Sequence, residues 1–252
     1  MCVWSPGTHS GSHRRHRDVT WRVCGCERTP TAPRTARPSS RDGCVDLIWR
    51  DGEAEVVGPD RGPRAVPVCG GASIAGVRLR PGAAGLLLGR VPTWEICDLQ
   101  VPLRDLFPAR ARRLEDCLAQ AESPRTAAAV LDGFAASLVH GYAPDPAVEH
   151  AVAALGRPRP VRLPILADEV GLSERQLRRR VTDAVGYGPK TLHGVLRFQR
   201  ALAWVRSDDF ALAEVALRAG YADQAHLTRE VSRLAGLPPT RLAERGRRTQ
   251  DA

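Results

Sequence analysis

Between His16 and His140 the chain contains no histidine, so that stretch cannot supply a histidine-based metal centre. Its seven cysteines include no C-x-x-C pair, which removes the half-sites of a structural zinc. No phosphate-binding G-x-x-x-x-G-K-[ST] loop, no G-x-S-x-G elbow and no H-E-x-x-H helix occurs. No apolar run approaches the roughly eighteen residues a membrane helix needs. The first residues lack the apolar core of a secretory signal, which predicts a cytoplasmic protein. The odd cysteine number then argues against a disulfide framework.

Lysine is almost missing as well. Lys190 stands alone, although the net charge is +9 and the pI about 9.8. Such a balance favours an anionic partner. With arginine carrying nearly all of it, the position of each arginine says more than the total. At 252 residues the chain has room for two ordinary domains.

The most organised stretch is Leu163 to Arg245. Leu212, Val215, Ala216 and Ala219 recur at helical spacing, and Gly220 suits the left-handed residue that closes a helix. Asp223 is a good N-cap for a second helix with Leu227, Val231 and Leu234 on one face. Ala225, Arg229 and Ser232 share the opposite face, Gln224 and Thr228 flank it, and Gly236 and Pro238 end the helix. Two short helices on a tight glycine turn form a helix-turn-helix pattern. The same pattern occurs upstream. Ile165, Leu166 and Val170 precede Gly171, and Ser173 with Gln176 forms an S-x-x-Q capping box. Leu177, Val181 and Val185 then make the apolar face. Arg175, Arg179 and Thr182 point away from it, with Arg178 at its margin. Thr191 to Arg206 reads as a connecting helix with Leu192, Leu196, Leu202 and Ala203 toward one side.

LADEVGLSERQLRRRVTDAVGYGPKTL, RFQRALAWVR and LAEVALRAGYADQAHLTREVSRLAGLPPTRL together resemble the C-terminal DNA-binding domain of the AraC/XylS family of transcription regulators. The A-x-x-x-G-Y-x-D-Q-x-H-L-x-R pattern, followed by G-x-x-P, is the most specific part. The resemblance covers roughly Asp145 to Arg245, under half of the chain. Leu227, Val181 and Val231 depart from it, standing where phenylalanine is usual. It implies two units on one rigid linker helix, each placing its second helix in successive major-groove turns of double-stranded DNA. The candidate DNA-binding residues are Arg175, Arg178, Arg179 and Thr182 in one unit, and Gln224, His226, Thr228 and Arg229 in the other. His226 comes from the resemblance; helical spacing puts it to the side, where a packing or capping role is open.

The rest of the chain divides around that domain. Residues 1–41, rich in Ser, Thr, Pro, Arg and Gly, read as a poorly ordered basic tail with one strand at Thr20 to Cys24. Residues 42–143 read as a small β-rich domain with helices at Val101 to Ala121 and Arg125 to Tyr142, and a short one near Ala83 to Leu88. D-G-C-V-D-L-I-W and G-V-R-L-R-P-G resemble the cupin-like region often fused to AraC-type domains. Residues 144–246 are the DNA-binding domain and 247–252 a tail. The fold class is therefore α+β, a β-rich half followed by an all-α half. Glu53, Glu55 and Asp60 read as solvated strand or turn residues, and Cys44, Cys69 and Cys97 as buried small apolar side chains.

The function expected is a sequence-specific DNA-binding transcription regulator, without catalytic residues, metal or cofactor. Its N-terminal domain senses a small molecule or mediates self-association. A small-molecule effector, a homodimer and RNA polymerase are the candidate further partners, with no membrane. The alternatives are a thiol- or metal-responsive regulator, for which Cys24 and Cys26 are the nearest pair, or a DNA-repair-type fusion using the N-terminal cysteines. DNA binding is expected to be unaffected by EDTA. Its loss on chelation, measured by gel shift, would bring the metal-responsive alternative forward.

Overall fold

The computed structural model describes residues 13–16, 19–26, 37–39, 42–62, 64–66, 74–139, 141–159, 161–207 and 210–250, with side chains at 13–39, 64–66, 206–207 and 245–250 left aside. The N-terminal half carries β1 (His13–His16), β2 (Val19–Cys26), β3 (Arg37–Ser39), β4 (Val45–Arg50), β5 (Glu53–Val57), β6 (Arg64–Val66) and β7 (Ile74–Leu79). Then come α1 (Gly85–Leu88), a 3-10 turn at Thr93–Ile96, β8 (Gln100–Pro102), α2 (Leu103–Leu106), α3 (Pro108–Ala119) and α4 (Pro124–Val139). Six strands form one antiparallel sheet in the order β1-β2-β7-β4-β5-β8, and β3 pairs with β6.

Strict alternation explains the sheet. Ala75, Val77 and Leu79 of β7 and Val45 and Leu47 of β4 are buried, while their strand neighbours are not. This apolar face packs on Leu86, Leu87, Leu114, Leu118 and Leu131 of the helices. The other face is polar and internally satisfied. Arg78 closes on Asp46 at 2.7 and 2.6 Å and on Asp42 at 2.8 Å. Burial raises the Asp42 carboxyl against the pull of that guanidinium. Arg50 and Gln100 each reach Glu55 at 2.9 Å.

Several expectations need correction here. The stretch 1–41 contributes β1, β2 and β3, because β7 has an open edge that β2 takes in register from Trp21 to Cys26; the strand expected at Thr20 to Cys24 lies inside β2. The rest of that stretch, and Cys69, lie outside the described residues. The helix expected from Val101 divides at Phe107, whose backbone (φ −143°, ψ 74°) leaves the helical region ahead of Pro108, where proline disfavours it. Glu55 and Asp60 are not solvated: Asp60 is 5% exposed, and Glu55 is held by its two partners. Cys97 is buried, as expected of it, and Cys44 is half-buried.

The C-terminal half is helical: α5 (Pro146–Leu155), α6 (Leu163–Glu169), α7 (Glu174–Val185), α8 (Pro189–Ser207), α9 (Leu212–Ala219), α10 (Gln224–Ala235) and α11 (Pro239–Gln250). It holds two cores. One gathers Leu166, Leu177, Val181, Val185, Leu192 and Val195. The other gathers Phe198, Leu202, Val205, Val215, Leu227, Val231 and Leu234. Helix α8 supplies both. It is longer than the expected Thr191–Arg206, and Ala203 is exposed while Phe198 and Ala201 are fully buried.

The two halves meet at the end of α7. Gly186 closes that helix with φ +92°. Thr93 donates to the Ala184 carbonyl at 3.1 Å, Trp94 to the Asp183 carboxylate at 3.2 Å, and Cys97 to the Gly186 carbonyl at 3.3 Å. Arg80 and Glu149 pair nearby at 2.9 Å. A Cβ on Gly186 would stand 2.5 Å from the Cys97 sulfur and 2.9 Å from Pro59 Cγ. Gly186→Ala should therefore cost about 1–3 kcal/mol and loosen the contact between the halves. Denaturant unfolding checks the first, and protease cleavage near residues 141–145 the second.

Candidate nucleic-acid interface

Each helix-turn-helix unit is set by its caps. Ser173 accepts from the Gln176 N–H at 3.3 Å, and the Gln176 side chain accepts from the Ser173 N–H at 2.9 Å, the reciprocal box expected. Asp223 accepts from the His226 N–H at 2.6 Å. Gly171 and Gly220 take φ of +65° and +87° in the two turns, where a side chain would be strained.

Counting from the caps, the units superimpose in sequence: Gln176 answers to His226, Leu177 to Leu227, Arg179 to Arg229, Arg180 to Glu230 and Asp183 to Arg233. This alignment explains His226. Its Nδ1 accepts from the Ala222 N–H at 3.4 Å, as Gln176 accepts from Ser173. A backbone N–H only donates, so the ring proton sits on Nε2, which lies 3.4 Å from Glu230. The ring also packs edge-on against Tyr221 at 5.2 Å. Nδ1 of His226 is therefore bonded to the turn, and Nε2 faces Glu230 one helical turn on.

The outer faces differ from that interior. Arg175, Arg178, Arg179, Gln224 and Arg229 are exposed, and Thr182 and Thr228 half-exposed. The Thr182 hydroxyl donates to the Arg178 carbonyl at 2.8 Å, which leaves it an acceptor only. None of Arg175, Arg178, Arg179 and Arg229 meets a carboxylate among the described residues. Arg180 does, on Asp145 at 3.3 Å, as do Arg218 on Glu214 at 2.8 Å and Arg241 on Glu244 at 3.2 Å. Asp183, on the outer side one turn beyond Arg179, is taken by Trp94.

The units are locked together by two arginines of α8 that pattern reading missed. Arg197 pairs with Glu230 and lies over the Tyr221 ring at 4.3 Å. Arg200 donates to the Gly156 carbonyl, and at 3.0 Å to the Ala219 carbonyl. Burial lowers its pKa. The available signal was their i, i+3 spacing around the buried Phe198.

Residues 166–245 match the model of a helix-turn-helix domain. Residues 18–102 match a domain of unknown function, DUF6597. No curated protein matches. Among solved structures, a transcriptional regulator (AraC-type DNA-binding domain-containing proteins) from Chromobacterium violaceum is 21% identical with a TM-score of 0.38, over 40% of this chain and 92% of its own. The DNA-binding domain of AdpA, a global transcriptional factor in complex with a target DNA, is 24% identical with a TM-score of 0.39, over 42% and 97%. ToxT from Vibrio cholerae O395 is 10% identical with a TM-score of 0.48, over 90% and 96%.

The Tyr221 hydroxyl is pushed up to about 12, first by burial and then by Glu230, against the pull of Arg197. Folding thus favours the protonated phenol. That stability is fully present below the ordinary tyrosine value of 10.0 and is lost as pH rises through the folded value. Tyr221→Phe should flatten the fall in stability between those two values relative to the parent, as followed by urea titrations at stepped pH. An unchanged fall would remove Tyr221 as its source.

Proposed function

The chain carries an AraC-type helix-turn-helix domain over residues 166–245, and on that footing we propose how this DNA-binding transcription regulator docks on its site. Helices α7 and α10 enter successive major-groove turns on one face of the duplex. One turn of B-DNA is about 34–36 Å. The 19 residues of α8 rise about 28 Å, and the bodies of the two units add the remainder.

The observation that carries this reading is the set of exposed arginines that meet no carboxylate among the described residues. Arg175, Arg178 and Arg179 meet guanine O6 and N7 or phosphate in one groove segment. Arg229, with Gln224 and Thr228, does so in the next. Thr182, as an acceptor, suits an exocyclic amino group. Backbone N–H groups at the starts of both helices meet phosphate. His226 is bonded to the turn through Nδ1, so any base contact by it would come from Nε2, in competition with Glu230.

The working division is a regulatory half, residues 42–143, and a reading half, residues 144–246. The regulatory half senses a small molecule or mediates self-association. The grip of Thr93, Trp94 and Cys97 on the end of α7 supports this role, because any shift of that loop reaches a reading helix directly. RNA polymerase is the further partner a regulator of this kind would address. No described helix is long and apolar enough to cross a membrane.

Arg179→Ala and Arg229→Ala each remove a cation but no core packing, so stability should move by no more than about 0.5 kcal/mol. Pairing with guanine predicts a loss of about 1–3 kcal/mol in binding and relaxed specificity at one base pair. Contact with phosphate alone predicts weaker binding on all sequences and a salt slope smaller by about one. The affected positions should lie about one helical turn apart. Footprints and binding curves on a site selected by the full chain check this. Two folded variants that bind as tightly as the parent would refute the docking.

A further inference from the structure

The loop that leaves α5 runs along the seam between the two helix-turn-helix units, and it is unusually well held. Arg200 fixes its first carbonyl, Gly156, together with Ala219 at the end of α9. His193 bonds the preceding Leu155 carbonyl at 3.0 Å. The Arg157 N–H donates to the Ala154 carbonyl at 3.2 Å. Next to it, a Cβ on Gly220 would stand 2.4 Å from the Pro158 carbonyl oxygen. Loop and turn therefore touch backbone to backbone, and that turn begins α10.

From this fixed support Arg157 and Arg159 are exposed, and Arg162 is exposed where α6 begins. None of the three pairs with a carboxylate among the described residues. Elsewhere in the same half, arginines such as Arg180, Arg197, Arg218 and Arg241 are neutralised by the protein itself. Two loop arginines and one at a helix start, uncompensated beside the turn that leads into α10, make a cationic ridge on this loop.

The docking proposed above decides what this ridge meets. With α7 and α10 in successive major-groove turns, the strip of duplex facing the seam is the intervening minor groove. Its two walls are phosphate. We propose that Arg157 and Arg159, with Arg162 beside them, close on the phosphates lining that minor groove, as a third DNA contact that carries affinity without reading sequence. The proposal rests on the docking of both units. Because Arg200 and Gly220 tie the loop to the second unit, the contact is anchored to α10 and fixes its register on the duplex. Guanidinium groups held at a groove edge gain from the concentrated negative potential there, and the loop has little freedom to lose on binding.

The test uses the full chain and a duplex it has selected from random sequence. Arg157→Ala/Arg159→Ala should keep the major-groove methylation protections of both units. It should lose hydroxyl-radical protection of the sugars between them. Each phosphate contact contributes close to one to the salt slope, so the slope should fall by about two, with a similar loss on unrelated duplexes. Arg157→Lys/Arg159→Lys, which keeps the charge, should retain most of the slope. Circular dichroism melts establish that the variants are folded. Unchanged protection and slope in a folded alanine variant would overturn the proposal and leave the ridge to an acidic protein partner. Failure of the docking itself looks different: the parent chain would then show no pair of major-groove protections one turn apart.

Discussion

Helix α8 is shared by two hydrophobic cores, and the rest of the C-terminal half depends on that sharing. Leu192 and Val195 complete the first core; Phe198, Ala201, Leu202 and Val205 complete the second. A fully buried side chain of this size contributes about 1.5–3 kcal/mol, so bending α8 near its middle would expose several such groups at once. The ion pair of Arg197 and the two carbonyl bonds of Arg200 sit over that same middle. The spacing of the two reading helices is therefore a packing property, not a matter of linker flexibility. Under the proposed docking, sites whose half-elements are shifted from one turn would have to bend that core.

Around that scaffold the arginines sort into two populations. Arg78, Arg180, Arg197 and Arg218 are neutralised by carboxylates of the chain. The exposed pairs, of Arg180 and Arg218, contribute little to stability, while those of Arg78 and Arg197 are largely buried; all four remove charge from their surroundings. Among the described residues of the helical half, the exposed arginines that meet no carboxylate stand on α7, on α10 and on the segment between α5 and α6; Arg90, Arg110, Arg112, Arg113 and Arg125 of the other half are exposed as well. Within the helical half, local pairing thus leaves uncompensated cations on the segments proposed to face DNA, an arrangement a polyanion rewards.

The helical half was legible because its signals are local. The Ser173–Gln176 box, the Asp223 cap and the glycines at 171, 186, 220 and 236 act within a few residues, and apolar spacing supplies the faces between them. What escaped was long-range. Arg197 and Arg200 looked like ordinary linker cations until Glu230, Tyr221, Gly156 and Ala219 were brought beside them from distant positions. His226 carried a family expectation of base contact, and the capping role its spacing left open is seen in the bond of its Nδ1 to the turn. In the N-terminal half β7 alternates legibly, but Asp60 and Glu55 look solvated in sequence; Asp60 is buried, and Glu55 is half-buried and held by Gln100 from a distant strand. The division of one expected helix at Phe107 was available from Pro108 and was outweighed by the apolar spacing across it.

The two units are alike in caps and cores but not in what their reading helices do at the far end. At the same distance from the cap, α7 carries Asp183 and α10 carries Arg233. A carboxylate on the outer side of a DNA-facing helix is repelled by phosphate, unless that part of the helix is used for something else. Here it is: Trp94 takes the carboxylate, and Thr93 and Cys97 take the last carbonyls. Gly186 lets the loop approach closer than any side chain would allow. The C-terminal end of α7 is therefore where the N-terminal half grips, and the docking proposed here leaves Arg175, Arg178, Arg179 and Thr182 to DNA. Arg233 meets no such loop and stays exposed, 3.6 Å from Glu230. The asymmetry follows from one economy of surface: a helix of 12 residues has one outer stripe, and whatever grips one end of it withholds that end from the groove.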